Sequence, residues 1–144
     1  MAESTERLSW DEYFIKISYL VSQRSVCERL HVGCILVKDS RMIAAGYNGF
    51  LPSASHKSVV INNHEQMIIH SEVNAVCDCS KRGVNSENSI AYITHYPCLN
   101  CFKTLVCAGI KQIKYHKDYK NDKLVEELAI EVGISIQKLN IQID

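Results

Sequence analysis

The sequence of 144 residues has little proline and glycine, with two and six residues respectively, and it contains no internal repeat, low-complexity tract or linker. Because nothing divides the chain, we expect one domain over residues 1–144, a length that can bury a core. No apolar run is long enough for a membrane span, and the N-terminal segment MAESTER is too polar for a secretory leader. We therefore expect a cytoplasmic protein that does not bind membranes.

An excess of charge is also missing, because 16 basic residues balance 16 acidic residues. Proteins that bind polymeric nucleic acid generally carry a basic surface. The balance therefore argues against DNA or RNA as a partner. A small anion needs only a local group of cations and remains compatible with this composition.

Cysteine, by contrast, is plentiful. The seven cysteines are Cys27, Cys34, Cys77, Cys79, Cys98, Cys101 and Cys107. An odd number in a reducing compartment argues against a disulfide framework. Metal ligation and simple burial of thiols are the two alternatives.

Apolar periodicity predicts an α/β chain with the element order α-β-β-α-β-α-β-α-β. A capping box, Ser9 with Glu12, begins the first helix. Two apolar runs, 32–37 and 42–47, flank a polar turn and predict a hairpin. The pattern weakens over 50–69, a long connection that often marks a functional loop.

Helices and strands alternate in the second half of the chain. We predict helices at 71–81, at 97–108 and from a cap at Asn121 or Asp122 to Val132, and strands at 89–94, 110–116 and 134–139. Pro97 suits a first helical turn, and Gly83, Gly109 and Gly133 suit helix ends. Strands that alternate with helices are expected to be parallel, while the first hairpin is antiparallel.

Two short segments, HSEVNAV at 70–76 and HYPCLNC at 95–101, have the composition of a metal site. Cys98 and Cys101 lie one helical turn apart at a predicted helix start, where the positive end of the helix favours thiolates. His70 lies at the start of another helix. If the two helix starts lie side by side, the three ligands converge and leave a fourth position for water, as in catalytic zinc sites.

Glu72 follows His70 by two residues, so its carboxylate can approach that water without joining the metal. A lone histidine or C-x-x-C is weak evidence, and a first-turn glutamate often only complements the helix dipole. A structural four-ligand site would recruit His95 or Cys107, and neither has finger-like spacing. The combination predicts a catalytic zinc site.

The H-x-E motif followed by P-C-x-x-C resembles the zinc-dependent cytidine deaminase superfamily. The segment around GYNG resembles its deoxycytidylate (dCMP) deaminases. Similarity covers most of the chain, in SYLVSQRSVC, VGCILVKDSRMIAAGYNG, HSEVNAV and YITHYPCLNCFKTLVCAGIKQIKY. Ser71 and Phe102 each replace an alanine that is usual in the family.

This resemblance implies a three-layer α/β/α cytidine deaminase-like fold with a mixed five-stranded sheet. It implies zinc held by His70, Cys98 and Cys101, with Glu72 as the proton shuttle. The implied reaction is hydrolytic deamination of dCMP to dUMP with release of ammonia, which supplies thymidylate synthesis.

The resemblance also implies contacts to the nucleotide. Asn48 of GYNG would bond the sugar hydroxyl, although Asn-Gly is also a turn signal. Ser22 and Arg24 are candidates for the phosphate, with a solvated surface role as the alternative. Tyr119 matches a tyrosine that the family places near the phosphate.

The same resemblance also implies how the protein assembles and how it is regulated. Family members are usually homo-oligomers, often hexamers, activated by dCTP and inhibited by dTTP. Lys81 matches an arginine linked to effector or phosphate binding, and Asn48 and Gly49 belong to a segment that often forms part of the effector site.

A second, structural zinc occurs in some members of the family. Here Cys27, His56 and His64 could hold one, and the alternative is a buried thiol with two loop histidines.

Other functions remain open at this point. The substrate could be dCTP, free cytidine or deoxycytidine, or a base in RNA or DNA, although the zero net charge argues against a polynucleotide. A zinc-stabilised binding module without activity is a further alternative. Glu72 argues against that module, because a purely structural zinc site has no use for a carboxylate beside its open position.

Overall fold

The structure, a computed structural model, describes residues 6–143. Residues 1–5 and 144 lie outside the described part, and one domain over 1–144 stays a prediction. The helices are α1 (Trp10–Ser22), α2 (Ser71–Arg82), α3 (Leu99–Cys107) and α4 (Lys123–Val132). The strands are β1 (Gly33–Lys38), β2 (Arg41–Tyr47), β3 (Gly49–Phe50), β4 (Val60–Ile61), β5 (His64–Glu65), β6 (Ile68–Ile69), β7 (Ile90–His95), β8 (Gln112–Lys117) and β9 (Ser135–Lys138).

One mixed sheet of five strands, in the order β2-β1-β7-β8-β9, organises the fold. β1 pairs antiparallel with both β2 and β7. β7, β8 and β9 are parallel, as expected where helices α3 and α4 make the crossovers. The predicted hairpin and the predicted parallel strands are therefore both confirmed.

Helices cover both faces of this sheet, which confirms the three-layer arrangement. Alternate residues of β1 face opposite layers. Ile35 and Val37 are buried with Phe14 of α1 on one face, and Cys34 and Leu36 are buried in the core beneath the other helices. Because β1 is buried on both faces, it reads in the sequence as an unbroken apolar run.

The ends of the helices follow local chemistry. The capping box is present: Glu12 N donates to Ser9 Oγ at 3.1 Å, and Ser9 N donates to Glu12 Oε1 at 3.2 Å. Asp122, rather than Asn121, caps α4, because its Oδ1 accepts from Leu124 N at 2.9 Å. Among residues 6–143, no helix has both the length and the apolar character that a membrane span requires.

Four short strands that the sequence did not predict lie within residues 49–69. β3 pairs with β6, and β4 pairs with β5. Asn62 and Asn63, at φ 52° and 63°, form the two-residue turn between β4 and β5. Asn at two positive-φ positions is typical of such hairpin turns. The strands were missed because two residues are too few to show a period of two.

Gly46 lets β2 approach α2 closely. A Cβ at this position would lie 2.3 Å from the Ser71 carbonyl oxygen and 2.4 Å from the Ala75 amide nitrogen, both backbone atoms of α2. We predict that Gly46→Ala lowers the free energy of unfolding by about 1–3 kcal/mol, as overpacking does. Urea denaturation of the purified variant measures the loss.

Gly49→Ala is the matched control, because its Cβ would meet the Tyr47 ring at 3.5 Å, an ordinary contact. We expect a change below about 0.5 kcal/mol there. Equal losses in both variants would contradict the close approach at Gly46.

Candidate metal centre

Two helix starts supply the ligands of the centre. His70 is the N-cap of α2 and Cys98 is the N-cap of α3, and neither side chain caps its own helix. Both side chains are therefore free to turn towards a shared point. Pro97 precedes the cap instead of lying in the first helical turn as predicted, because Cys98 keeps an extended backbone at φ −70° and ψ 167°.

The three predicted ligands converge. His70 Nδ1 lies 3.2 Å from Cys101 Sγ and 3.6 Å from Cys98 Sγ. The three ligand atoms lie within 4.8 Å of one another. A tetrahedral zinc with ordinary Zn–S and Zn–N bonds separates its ligand atoms by about 3.5–3.8 Å. The donor set and its spacing therefore fit zinc with one position left open.

The two cysteines of this cluster have pKa values shifted in opposite directions. The Cys101 thiol donates to Cys98, and together with His70 it lowers the pKa of Cys98 to about 4. The same contact and burial raise the pKa of Cys101. The bond to Cys98 raises the pKa of His70. A metal binds thiolates and neutral imidazole, so its binding would release protons from this cluster.

Glu72 lies beside the cluster and outside the three-ligand group. It is 5% exposed, and burial raises the pKa of its carboxyl group. Ser71 Oγ donates to Glu72 Oε1 at 2.5 Å, a contact that sequence reasoning missed because Ser71 was noted only as a replacement of the usual alanine. A carboxylate with a raised pKa suits proton transfer near neutral pH.

A cavity of about 690 Å³ opens over this cluster. The volume is within the range of small-molecule sites. Of the residues singled out from the sequence, the lining includes Cys27, Asn48, His56, His64, His70, Glu72, Cys98 and Tyr119. One cavity thus brings together the predicted proton carrier, two predicted metal ligands and part of the predicted nucleotide contacts.

Asn48 holds the rim of the cavity. Its Oδ1 accepts from Val32 N at 2.8 Å, and its Nδ2 donates to Leu30 O at 2.7 Å. An amide side chain has two donor hydrogens and two acceptor lone pairs, so half of its capacity remains for a ligand. The sugar-binding role of Asn48 stays a prediction.

Ser22 and Arg24, the candidates for the phosphate, are not in the cavity lining. Ser22 Oγ donates to the Tyr19 carbonyl at 2.5 Å within α1. Arg24 is exposed, with its guanidinium 6.0 Å from the centre of the Tyr47 ring. The positively charged side chains that line the cavity are those of Arg29 and Lys120. Arg29 was missed because it lies in an irregular segment with no local pattern.

The proposed second zinc ligands line the same cavity without forming a second cluster. Among residues 6–143, the ligand atoms of Cys27, His56 and His64 do not meet the 4.8 Å spacing that defines the first group. His56 instead stacks on Phe50, with ring centres 5.1 Å apart. A second zinc stays a prediction.

The effector candidates Gly49 and Lys81 lie outside the cavity lining. Gly49 begins β3 and pairs with Ile69. Lys81 is exposed in the last turn of α2. Their effector role also stays a prediction.

Comparison with known sequences identifies relatives over nearly the whole chain. The profile of the cytidine and deoxycytidylate deaminase zinc-binding region matches residues 8–117. The ComE operon protein 2 of Bacillus subtilis is 41% identical over 140 residues, which cover 94% of this chain and 74% of the relative. The deoxycytidylate deaminase of Saccharomyces cerevisiae is 30% identical over 147 residues, covering 93% of this chain. This chain spans 46% of the length of that yeast relative.

Comparison with solved structures also identifies a deoxycytidylate deaminase as similar to this chain. The dCMP deaminase of the cyanophage S-TIM5, in complex with dCMP and dUMP, superposes with a TM-score of 0.81 at 28% identity. The match covers 93% of this chain and 99% of the phage chain. The three-layer fold is therefore shared along almost the full length of both proteins.

We predict that the purified protein carries one zinc per chain in this cluster and that Cys98→Ala loses it, because a thiolate ligand is removed. Metal analysis by mass spectrometry measures the ratio. Cys107→Ala is the matched control, since Cys107 is an exposed thiol at the end of α3 and outside the cluster. Full zinc occupancy in Cys98→Ala would show that the ligands are assigned wrongly.

Proposed function

The chain belongs to the cytidine and deoxycytidylate deaminase family, and from this membership we propose that it hydrolyses dCMP to dUMP and ammonia. dUMP is the precursor for thymidylate synthesis. The observation that carries the proposal is the position of Glu72, a buried carboxylate beside a three-ligand metal cluster in the wall of a nucleotide-sized cavity. A purely structural metal site has no use for such a carboxylate.

His70, Cys98 and Cys101 would hold the zinc. Zinc bound there supplies a Lewis acid that makes a water molecule nucleophilic near neutral pH. The three residues also orient the reaction, because His70 and Cys98 line the cavity and the three-ligand group leaves Glu72 outside it.

Glu72 carries the protons. Its carboxylate takes a proton from the attacking water and delivers a proton to N3 of cytosine as the C4–O bond forms. It then takes the remaining proton from the new C4 hydroxyl and passes it to the 4-amino group, so that the C4–N bond breaks, the C4 carbonyl forms and ammonia leaves. The raised pKa of Glu72 suits a group that must both accept and donate. Ser71 restrains the carboxylate by donating to Oε1.

Arg29 and Lys120 are the side chains that we propose for the substrate phosphate, together with Tyr119 from the family resemblance. All three line the cavity. Neither Arg29 nor Lys120 forms a salt bridge among residues 6–143, so both are available to an anionic substrate. A triphosphate could use the same cations, so dCTP is the competing substrate in the assay below.

Assembly and regulation are proposals that rest on the family resemblance. We propose a homo-oligomer, with a hexamer as the expected form, and effects of dCTP and dTTP through Asn48, Gly49 and Lys81. The exposure of Lys81 leaves its ammonium accessible to an effector or to a second copy of the chain. A cytoplasmic location likewise stays a prediction.

The test of the function is a substrate panel. Zinc-loaded protein is incubated with dCMP, dCTP, deoxycytidine and single-stranded DNA, and ammonia is measured. We expect dCMP to be the best substrate. We expect Glu72→Gln to keep its zinc and to lose at least ~10²–10⁴-fold in rate, the usual contribution of a positioned proton carrier. The amide has nearly the same shape as the carboxylate and cannot carry the proton.

Near-wild-type turnover in Glu72→Gln would contradict the proton-shuttle role. A preference for deoxycytidine would move the chain to the nucleoside deaminases. No ammonia from any substrate, with zinc bound, would favour the zinc-stabilised binding module.

The phosphate assignment is tested by comparing two arginines. We predict that Arg29→Ala raises the Michaelis constant for dCMP by about ten- to a hundredfold, as expected for the loss of one charge-assisted contact. Arg24→Ala should have a smaller effect, because Arg24 lies outside the cavity lining. Steady-state kinetics with dCMP and deoxycytidine measure both. A larger effect of Arg24→Ala would contradict the assignment to Arg29 and would indicate that the phosphate binds near the end of α1.

A further inference from the structure

His95 is a buried residue in the cavity wall that the mechanism above does not use. It is the last residue of β7 and is 8% exposed. It lines the same cavity as Glu72 and Cys98. Its ring lies edge-on to the Tyr119 ring, with centres 6.0 Å apart, so the imidazole is held between the sheet and the cavity.

A short chain of hydrogen bonds fixes which nitrogen of His95 carries the proton. Gly33 N donates to Thr94 Oγ1 at 3.1 Å, and Thr94 Oγ1 lies 2.7 Å from His95 Nδ1. Thr94 is fully buried, so its hydroxyl hydrogen needs an acceptor. Among residues 6–143, His95 Nδ1 is the acceptor within hydrogen-bond distance of the Thr94 hydroxyl. A neutral imidazole that accepts at Nδ1 carries its hydrogen on Nε2.

The second nitrogen is then a donor on a residue that lines the cavity. His95 Nε2 has no hydrogen-bond partner among residues 6–143. It is also not fully enclosed by the protein, unlike the unpartnered hydroxyl of Tyr96. Burial, with Lys117 and His116 nearby, lowers the pKa of His95 to about 4. The ring is therefore neutral at physiological pH and retains a single donor.

We propose that His95 donates a hydrogen bond from Nε2 to a phosphate oxygen of the bound deoxynucleotide and so contributes to selection of a nucleotide over a nucleoside. This inference rests on the proposed function. Its support is the fixed tautomer, the place of His95 in the cavity wall and the charges around it.

Glu28, Glu65 and Glu72 also line the cavity, but the charged groups that act on the His95 ring are Lys117 and His116, and these favour an anionic acceptor over the neutral oxygens of base and sugar. Lys117 is the register partner of His95 in the adjacent strand β8. Lys120 lines the cavity next to Tyr119, which contacts the His95 ring. A neutral N–H donor can lie close to these cations without the repulsion that an imidazolium would meet, and hydrogen bonds to charged acceptors are the stronger class.

The test measures binding without turnover, using the product dUMP and its dephosphorylated form, deoxyuridine. Calorimetry with the zinc-loaded protein gives the ratio of the two dissociation constants. We expect His95→Leu to weaken dUMP binding about ten- to a hundredfold and to leave deoxyuridine binding unchanged. His95→Gln, which keeps an N–H donor at similar reach, should recover most of the affinity for dUMP.

Equal weakening of dUMP and deoxyuridine in His95→Leu would overturn the assignment, because the lost contact would then involve base, sugar or the shape of the cavity. Unchanged binding of both would also overturn it. Melting temperatures establish that each variant is folded. If His95→Leu does not fold, the binding ratio of His95→Gln and the NMR measurement of the His95 tautomer still test the proposal.

A second measurement uses the unaltered protein. Nitrogen-15 NMR of the His95 ring should show the hydrogen on Nε2, and addition of dUMP, but not of deoxyuridine, should shift that resonance. A hydrogen on Nδ1 would overturn the inference. Failure of the proposed function is a separate outcome, because it would appear as no ammonia from dCMP, whereas the binding ratio and the NMR spectrum do not depend on catalysis.

Discussion

The convergence of two helix starts is the constraint on which the site depends. α2 and α3 pack against each other on one face of the sheet, so their N-caps, His70 and Cys98, are neighbours in space although 28 residues apart. An N-cap side chain usually satisfies the exposed amides of its own helix. Here both side chains turn towards each other instead, and the positive ends of the helices favour the thiolate that a metal needs. The close contact at Gly46 sets how near α2 can lie to the sheet.

Much of this arrangement was predictable because it is encoded locally. The capping box at Ser9 and Glu12, the apolar runs of the hairpin and the glycine ends of α2 and α4 each depend on a few adjacent residues. The convergence of His70, Cys98 and Cys101 was also predictable, since their spacing matches the geometry of a helix start. Sequence reasoning placed Pro97 inside the helix because proline suits that position, but the extended backbone at Cys98 delays the helix to Leu99.

The remainder depends on contacts between distant segments, which no local pattern records. Arg29 reaches the cavity from an irregular segment, and the Ser71 hydroxyl is significant because Glu72 is buried beside it. Family resemblance suggested Ser22 and Arg24, which lie outside the cavity lining, and their phosphate role stays a prediction, because resemblance does not give the direction of a side chain. Phe102 is almost fully buried in the core, although its side chain is larger than the alanine that is usual in the family. The sequence alone did not show where that extra volume would lie.

The two hydrogen bonds from Asn48 to Leu30 and Val32 have a consequence for the energetics of ligand capture. They tie the segment after β2 to the segment before β1, and the next residue, Gly33, donates to Thr94. Leu30, Val32, Asn48 and His95, which lie at or near the ends of strands β1, β2 and β7 and line the cavity, thus belong to one hydrogen-bonded wall. The conformational entropy of ordering that wall is lost when the chain folds, so a ligand that meets it forms its contacts against a preorganised surface and retains more of its binding free energy.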